Sequence, residues 1–216
     1  MIRIGLTGGI ASGKTTVANW LKQQEIALID ADQIARQVVA PNEEGLSRIR
    51  AHFGNSVVKQ DGSLDRNKLG QLVFSHHRKL KELNELLHPL IRARMKAQLA
   101  DLQAHGCPFV FLDIPLLFES HLEDWVDRIV VVYVPQELQL RRLMARNSLD
   151  PQAATARIDA QLPLEEKARR ADAVINNSGS LEATHEQLHQ LMARWNLSEG
   201  SERSRKCRNK ASERFS

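Results

Sequence analysis

The segment Gly8–Thr15 reads Gly-Gly-Ile-Ala-Ser-Gly-Lys-Thr and fits the spacing G-x-x-x-x-G-K-[ST]. Glycines let the backbone wrap closely, so that successive N–H groups face the phosphates of a nucleotide. Lys14 would reach the β- and γ-phosphates, and the Thr15 hydroxyl would ligate Mg²⁺. The pattern therefore predicts binding of ATP and Mg²⁺ by a set of neighbouring residues: Gly8, Gly9, Ala11, Ser12, Gly13, Lys14, Thr15 and Thr16.

Two carboxylates, Asp30 and Asp32, follow the second apolar run of the chain. Ligands bind at the carboxyl ends of strands in a parallel sheet, so a carboxylate there can face the γ-phosphate. A kinase needs such a group to orient or deprotonate the acceptor hydroxyl. Only one member of the doublet can readily point into the site, and Asp32 could instead cap the following helix.

Asp113 and an arginine pair are further candidates for phosphoryl transfer. Asp113 follows the apolar run 109–112, as in a Walker B strand, where it could hold a Mg²⁺-bound water or simply bond to a loop. Arg142 and Arg146 are four residues apart, share one helix face, and could neutralise charge on the transferring phosphate. The alternative for both arginines is a solvated helix face.

The elements that must position these residues alternate between strands and helices. Apolar runs predict five strands. Strands that alternate with helices predict an α/β fold of the three-layer P-loop NTPase type, with a mostly parallel five-stranded sheet. Pro89 should begin or kink a helix, and Ser180 should cap the last one. The predicted strands are 2–7, 26–29, 109–113, 128–134 and 173–175.

The order of these elements predicts one kinase domain over residues 1–197. Its core spans about 1–40 and 108–197, and a helical, acceptor-binding insertion spans about 41–107. Residues 198–216 are basic, rich in serine and without periodicity, which predicts a disordered tail.

Composition excludes several classes of function. Of the net charge of +4, three charges belong to the tail, and aromatic residues make up only 5% of the chain, so we expect no nucleic-acid partner. No apolar stretch approaches the roughly 20 residues that a spanning helix needs, so we expect no membrane association. The absence of a signal peptide and the presence of only two cysteines favour a cytoplasmic location. We expect a monomer or a weak homo-oligomer.

Several segments resemble dephospho-coenzyme A kinase, and the resemblance covers residues 1 to about 195. A later stretch, 171–179 (ADAVINNSG), looks like the adenine-side segment of that family. The other segments occur in the family's order: 6–10 (LTGGI), 30–36 (DADQIAR), 61–66 (DGSLDR), 87–90 (LHPL) and 113–119 (DIPLLFE).

The resemblance implies that ATP and Mg²⁺ phosphorylate the ribose 3′-hydroxyl of dephospho-coenzyme A, the last step of coenzyme A synthesis. By similarity, Asp32 is the base for that hydroxyl and Lys14 steadies the transferring phosphate. His88 and Arg92 would lie near the acceptor, although His88 could be a core histidine and Arg92 a solvated charge.

The resemblance also implies a lid over about 142–165 that carries Arg142 and Arg146, and a role for Asn177 in adenine binding. One departure concerns Ala11, where the family often has glycine. Alanine is uncomfortable at positive φ, so the loop must place it in a right-handed or extended conformation or accept some strain.

Two other functions remain open at this point. One is a kinase for another small hydroxyl acceptor, and the other is a nucleotide-dependent switch protein. A GTPase is unsupported, because the stretch Asn67-Lys68-Leu69-Gly70 lacks the aspartate of the guanine-reading N-K-x-D motif. The Asp30/Asp32 doublet and the arginine pair favour a kinase, because a switch needs no base for a hydroxyl.

Overall fold

A computed structural model describes residues 1–74 and 76–197, so the predicted disorder of 198–216 falls outside the described residues. The strands are β1 (Ile2–Gly8), β2 (Leu28–Asp30), β3 (Phe109–Asp113), β4 (Arg128–Tyr133) and β5 (Ala173–Asn176). The α-helices are α1 (Lys14–Gln23), α2 (Ala31–Gln37), α3 (Glu44–Phe53), α4 (Arg66–Phe74), α5 (His77–Ala104), α6 (Gln136–Asn147), α7 (Pro151–Asp159), α8 (Leu164–Arg169) and α9 (Leu181–Arg194).

The strands form one five-stranded sheet in the order β2-β3-β1-β4-β5. All four strand pairings are parallel, which confirms the predicted α/β fold and parallel sheet. Asp113 pairs with Leu6 of β1 and with Asp30 of β2, so the ends of three strands lie at one edge of the sheet. The phosphate loop leaves β1 at that edge.

The chain divides into two compact units. Among the described residues, the first contains Met1–Asp30 and 101–197, and the second contains Ala31–Ala100. In the part of the second unit that the structure describes, the chain is helical apart from turns and one isolated bridge between Val58 and Leu64. Its assignment to acceptor binding stays a prediction.

The core of the first unit lies between one face of the sheet and helices α1 and α9. Alternate residues of each strand point to this face, as the two-residue period of a strand requires. Trp20 of α1 is almost fully buried there, and its ring meets His189 of α9 edge-on, with centroids 5.0 Å apart. The strand residues of this core are Ile4, Leu6, Phe109, Phe111, Val130, Val132, Ala173 and Ile175.

The opposite face of the sheet is covered by the chain that follows β3. Gly5 of β1 is needed here, because an added Cβ would lie 2.6 Å from Cδ1 of Leu117 and 3.2 Å from Cγ1 of Val126. The segment that carries the end of the DIPLLFE motif is thus packed directly against the strand that delivers the phosphate loop.

Helix α5 continues through Pro89, so this proline does not begin a helix, and a kink at this position stays a prediction. Pro89 neither begins nor ends it; the helix runs for 28 residues from His77 to Ala104 with the proline inside. Proline has no N–H, so the turn at that point lacks one helical hydrogen bond. Among the described residues, no helix is both long and apolar enough to cross a membrane.

The start of α9 generates a stability prediction. Ser180 is its N-cap, and the Ser180 hydroxyl accepts a 3.2 Å hydrogen bond from the Ala183 N–H. Ser180→Ala should lower the free energy of unfolding by about 1 kcal/mol, because the Ala183 N–H loses its partner. Urea denaturation measures the change, with the mid-helix surface variant Glu186→Ala as control, expected within about 0.5 kcal/mol of wild type. Equal stability of Ser180→Ala and wild type would contradict the capping role.

Candidate active site

The phosphate loop connects β1 to α1 and is bent by two residues with positive φ. Gly13 has φ 88° and is the N-cap of α1. An added Cβ on Gly13 would lie 1.9 Å from Nδ2 of Asn177, so only glycine fits this position. Within the loop the Ser12 N–H donates to the Gly9 carbonyl at 3.1 Å.

Ala11 is the second of these residues, with φ 59°. Of the possibilities left open by the sequence, the loop takes the strained one. A left-handed conformation costs a non-glycine residue roughly 1–2 kcal/mol, so the surrounding contacts must hold the loop in this shape.

Carbonyl groups of alternate loop residues are bonded to side chains outside the loop. The Gly8 carbonyl accepts a 3.2 Å hydrogen bond from Nζ of Lys167. The other two bonds join the Ile10 carbonyl to Nε2 of Gln139, at 2.8 Å, and the Ser12 carbonyl to Nδ2 of Asn177, at 2.9 Å. In addition, the Ile10 N–H donates to Oε1 of Gln161 at 2.8 Å.

Asn177 is buried, and its side-chain amide has two partners. Its Nδ2 donates to the phosphate loop, and its Oδ1 accepts a 2.9 Å hydrogen bond from the Thr184 hydroxyl. Thr184, fully buried on α9, was not singled out from the sequence. The amide of Asn177 therefore supports the phosphate loop in this structure, and a contact of this residue with adenine stays a prediction.

Gln139, Gln161 and Lys167 were likewise missed by the sequence analysis. The two glutamines belong to no motif. For Lys167 a signal exists: it follows the buried Leu164 by three residues on α8, and residues three apart share a helix face. Its side chain is 0% exposed and forms an ion pair with Glu119, at 2.6 Å between Nζ and Oε1.

Lys14 and Asp113 form an ion pair between Nζ and Oδ1. The two side chains are only 17% and 6% exposed, and Asp113 is the last residue of β3. A pair at this depth interacts more strongly than one in water. Of the two roles considered for Asp113, the structure shows a partner from the phosphate loop, and a role in holding Mg²⁺ stays a prediction.

The two arginines of α6 have different surroundings. Arg142 is half-buried, and its Nη1 lies 3.8 Å from the point where a Cβ on Gly13 would be. Arg146 is exposed, and its Nε donates to the Asn147 side chain at 2.9 Å. The structure thus brings Arg142 next to the phosphate loop, and a role for Arg146 stays a prediction.

Asp32, His88 and Arg92 belong to the second unit. Asp32 is exposed and is the second residue inside α2, rather than the residue that precedes the helix. His88 and Arg92 are both exposed and lie one turn apart on α5, so His88 is not a core histidine. Partial shielding of the ring from water, and then the nearby Arg92 cation, lower the pKa of His88.

The loop residues fit a bound nucleoside triphosphate. The Ser12 hydroxyl is buried and, among the described residues, has no hydrogen-bond partner, so a polar ligand can supply one. Thr15 is exposed in the first turn of α1, where a hydroxyl can reach a metal ion beside the phosphates. Within 1–74 and 76–197, no cluster of three or more His, Cys, Asp or Glu side chains could hold a metal ion. Mg²⁺ commonly binds through phosphates, water and one or two protein ligands instead.

Comparison with known proteins identifies the family. The family profile of dephospho-CoA kinase matches residues 2–183. The chain is 48% identical over 198 residues to the dephospho-CoA kinase of Geobacillus kaustophilus, covering 92% of this chain and 98% of that protein. It is 50% identical over 192 residues to the enzyme of the same name from Bacillus licheniformis, covering 89% and 96%.

Solved structures agree with this result. A protein of Thermus thermophilus superposes with a TM-score of 0.77 at 38% identity, covering 91% of this chain and 98% of that one. Dephospho-CoA kinase from Campylobacter jejuni gives a TM-score of 0.69 at 33% identity, covering 90% and 98%. With its P-loop, its parallel sheet and this similarity over nearly its whole described length, the chain belongs to the dephospho-CoA kinase family.

Proposed function

We propose that this chain transfers the γ-phosphate of ATP to the ribose 3′-hydroxyl of dephospho-CoA and thereby completes the synthesis of coenzyme A. The observation that carries the proposal is membership of the dephospho-CoA kinase family together with an intact phosphate loop. The Asp30/Asp32 doublet supports a kinase over a nucleotide-dependent switch, which would need no base for an acceptor hydroxyl.

ATP binding is assigned to the loop and to Asn177. The Lys14 ammonium pairs with the Asp113 carboxylate at the end of β3. The triphosphate offers Lys14 a stronger set of negative charges, so we assign this ammonium to the β- and γ-phosphates when ATP binds. Mg²⁺ would be held by Thr15 and by a water on Asp113, and it would neutralise charge between the β- and γ-phosphates.

The acceptor is assigned to residues of the second unit. Asp32 follows the carboxyl end of β2 by two residues, and its exposed carboxylate is available to accept the proton of the 3′-hydroxyl. His88 and Arg92 are proposed to contact dephospho-CoA, and the exposure of both side chains supports that role.

A lid over about 142–165 is proposed to exclude water, which would otherwise accept the phosphate. Arg142 and Arg146 would stabilise the charge that spreads over the transferring group. The proximity of Arg142 to Gly13 supports the assignment of Arg142 to the transferring phosphate. We also propose a cytoplasmic location, a monomer or weak homo-oligomer, and no nucleic-acid or membrane partner.

Acceptor specificity is the first prediction of this proposal. ADP release, measured in a coupled assay with ATP and Mg²⁺, should require dephospho-CoA. A nucleoside, a nucleoside monophosphate and a mixture without acceptor should give background rates, and the product should gain one 3′-phosphate. Equal ADP release with and without acceptor would contradict a kinase and favour an ATPase or switch.

The second prediction separates the proposed base from the phosphate-binding lysine. Asp32→Asn should retain ATP affinity and lose turnover by on the order of 10²- to 10⁴-fold, because the hydroxyl loses its proton acceptor. Lys14→Ala should weaken ATP binding as well as turnover. ATP affinity is measured by calorimetry and turnover by the coupled assay.

Asp30→Asn is the matched control, since Asp30 is the other member of the doublet and lies inside β2. It should reduce turnover much less than Asp32→Asn. Near wild-type turnover of Asp32→Asn would show that the base has been assigned to the wrong residue.

A further inference from the structure

Lys167 is a fully buried lysine behind the phosphate loop. Its side chain is 0% exposed, and its ammonium has two partners: Oε1 of Glu119, at 2.6 Å, and the Gly8 carbonyl, at 3.2 Å. Lysine is almost never fully buried unless it is paired, because removing its charge from water is costly. The buried ammonium provides a hydrogen-bond donor in a fixed position for the carbonyl of Gly8, the first residue of the loop.

Glu119 connects the same lysine to the segment that precedes α8. Its Oε1 also accepts a 3.1 Å hydrogen bond from the Leu162 N–H. Its Oε2 is buried and has no hydrogen-bond partner among the described residues. The carboxylate is therefore held from two sides, by Lys167 and by the backbone next to Gln161, whose side chain bonds to the loop at Ile10.

The bond from Lys167 fixes the direction of the Gly8 carbonyl. A phosphate site needs N–H groups toward the ligand, and a carbonyl oxygen turned toward the phosphates would repel them. With its carbonyl bonded to the ammonium at 3.2 Å, the Gly8 peptide cannot rotate freely. Gln139 and Gln161 fix the two peptide groups on either side of the Ile10 Cα in the same way: Gln139 donates to the Ile10 carbonyl, and Gln161 accepts from the Ile10 N–H.

We propose that Lys167 is a positioning residue for phosphoryl transfer: it holds the Gly8 carbonyl away from the phosphates and keeps the first half of the loop preorganised. Glu119 neutralises its charge, so the pair contributes geometry rather than net attraction for ATP. The role in transfer rests on the proposed function, whereas the role in nucleotide binding can be measured without dephospho-CoA.

The test uses the full chain and a variant without either buried charge. Lys167→Met alone would leave the Glu119 carboxylate buried without its ammonium, which is strongly destabilising. The double variant Lys167→Met with Glu119→Gln removes both charges together, which is far better tolerated. It should keep a cooperative melting transition while the Gly8 carbonyl loses its donor.

The matched control is the ion pair between Arg170 and Glu123, at 2.5 Å, which joins the same two stretches of chain. Its side chains are 43% and 29% exposed, so it is a solvent-accessible counterpart of the buried pair. The control variant carries Arg170→Gln with Glu123→Gln. A further variant, Lys167→Arg, retains the charge and hydrogen-bond donors.

The expected result is a loss confined to nucleotide binding and turnover. For the Lys167/Glu119 double variant, the Kd of MgATP by calorimetry should rise about tenfold, the scale of one charge-assisted hydrogen bond. Its kcat should fall, while the KM for dephospho-CoA stays at the wild-type value. Lys167→Arg and the control should bind MgATP within about twofold of wild type, since both keep a donor behind Gly8.

Wild-type MgATP affinity and kcat in the folded double variant would overturn the proposal, as would an equal loss in the control. If the double variant does not fold, Lys167→Leu with Glu119→Met replaces it, because apolar side chains of similar volume remove both charges and the donor. Weakened MgATP affinity of this folded variant supports the proposal, and wild-type affinity overturns it. Absence of transfer to dephospho-CoA by the wild-type chain would instead contradict the proposed function, and the MgATP affinities would still test Lys167.

Discussion

A loop that surrounds phosphate must turn its N–H groups inward and bond its carbonyl groups elsewhere. In this chain the carbonyls at positions 8, 10 and 12 accept hydrogen bonds from three side chains outside the loop: Lys167, Gln139 and Asn177. The left-handed Ala11 lies between two of the bonded carbonyls. Its strain persists because neighbours on both sides fix the backbone, as is usual where an unfavourable conformation serves a site.

The Lys14–Asp113 pair joins the phosphate loop to the end of β3. Two charged groups at the sheet edge satisfy one another while both are largely shielded from water. In the proposed mechanism the triphosphate replaces one anion by another beside Lys14, and no cation has to be brought out of solvent. The pair also restricts the Lys14 side chain, and a side chain that is already ordered loses less entropy when it binds a ligand.

The sequence contained most of the fold and the contiguous part of the site. The P-loop, the strand at 109–113 and the cap at Ser180 are local patterns, and the structure has all three. Gln139 and Gln161 are single side chains far from the loop in sequence and belong to no motif, so no local pattern predicts that they bond to it. The conformation of Ala11 was also undecidable locally, because tertiary contacts select among backbone states that the residue type allows.

The three donors behind the loop lie 129, 159 and 165 residues after their acceptors. Synthesis proceeds from the N-terminus, so the glycine-rich segment leaves the ribosome long before these partners exist. A nascent chain that stops short of β5 carries the motif without Asn177, and one that stops before α6 lacks all three donors. The glycine-rich segment therefore obtains the hydrogen bonds that shape it only after much later parts of the chain have been made.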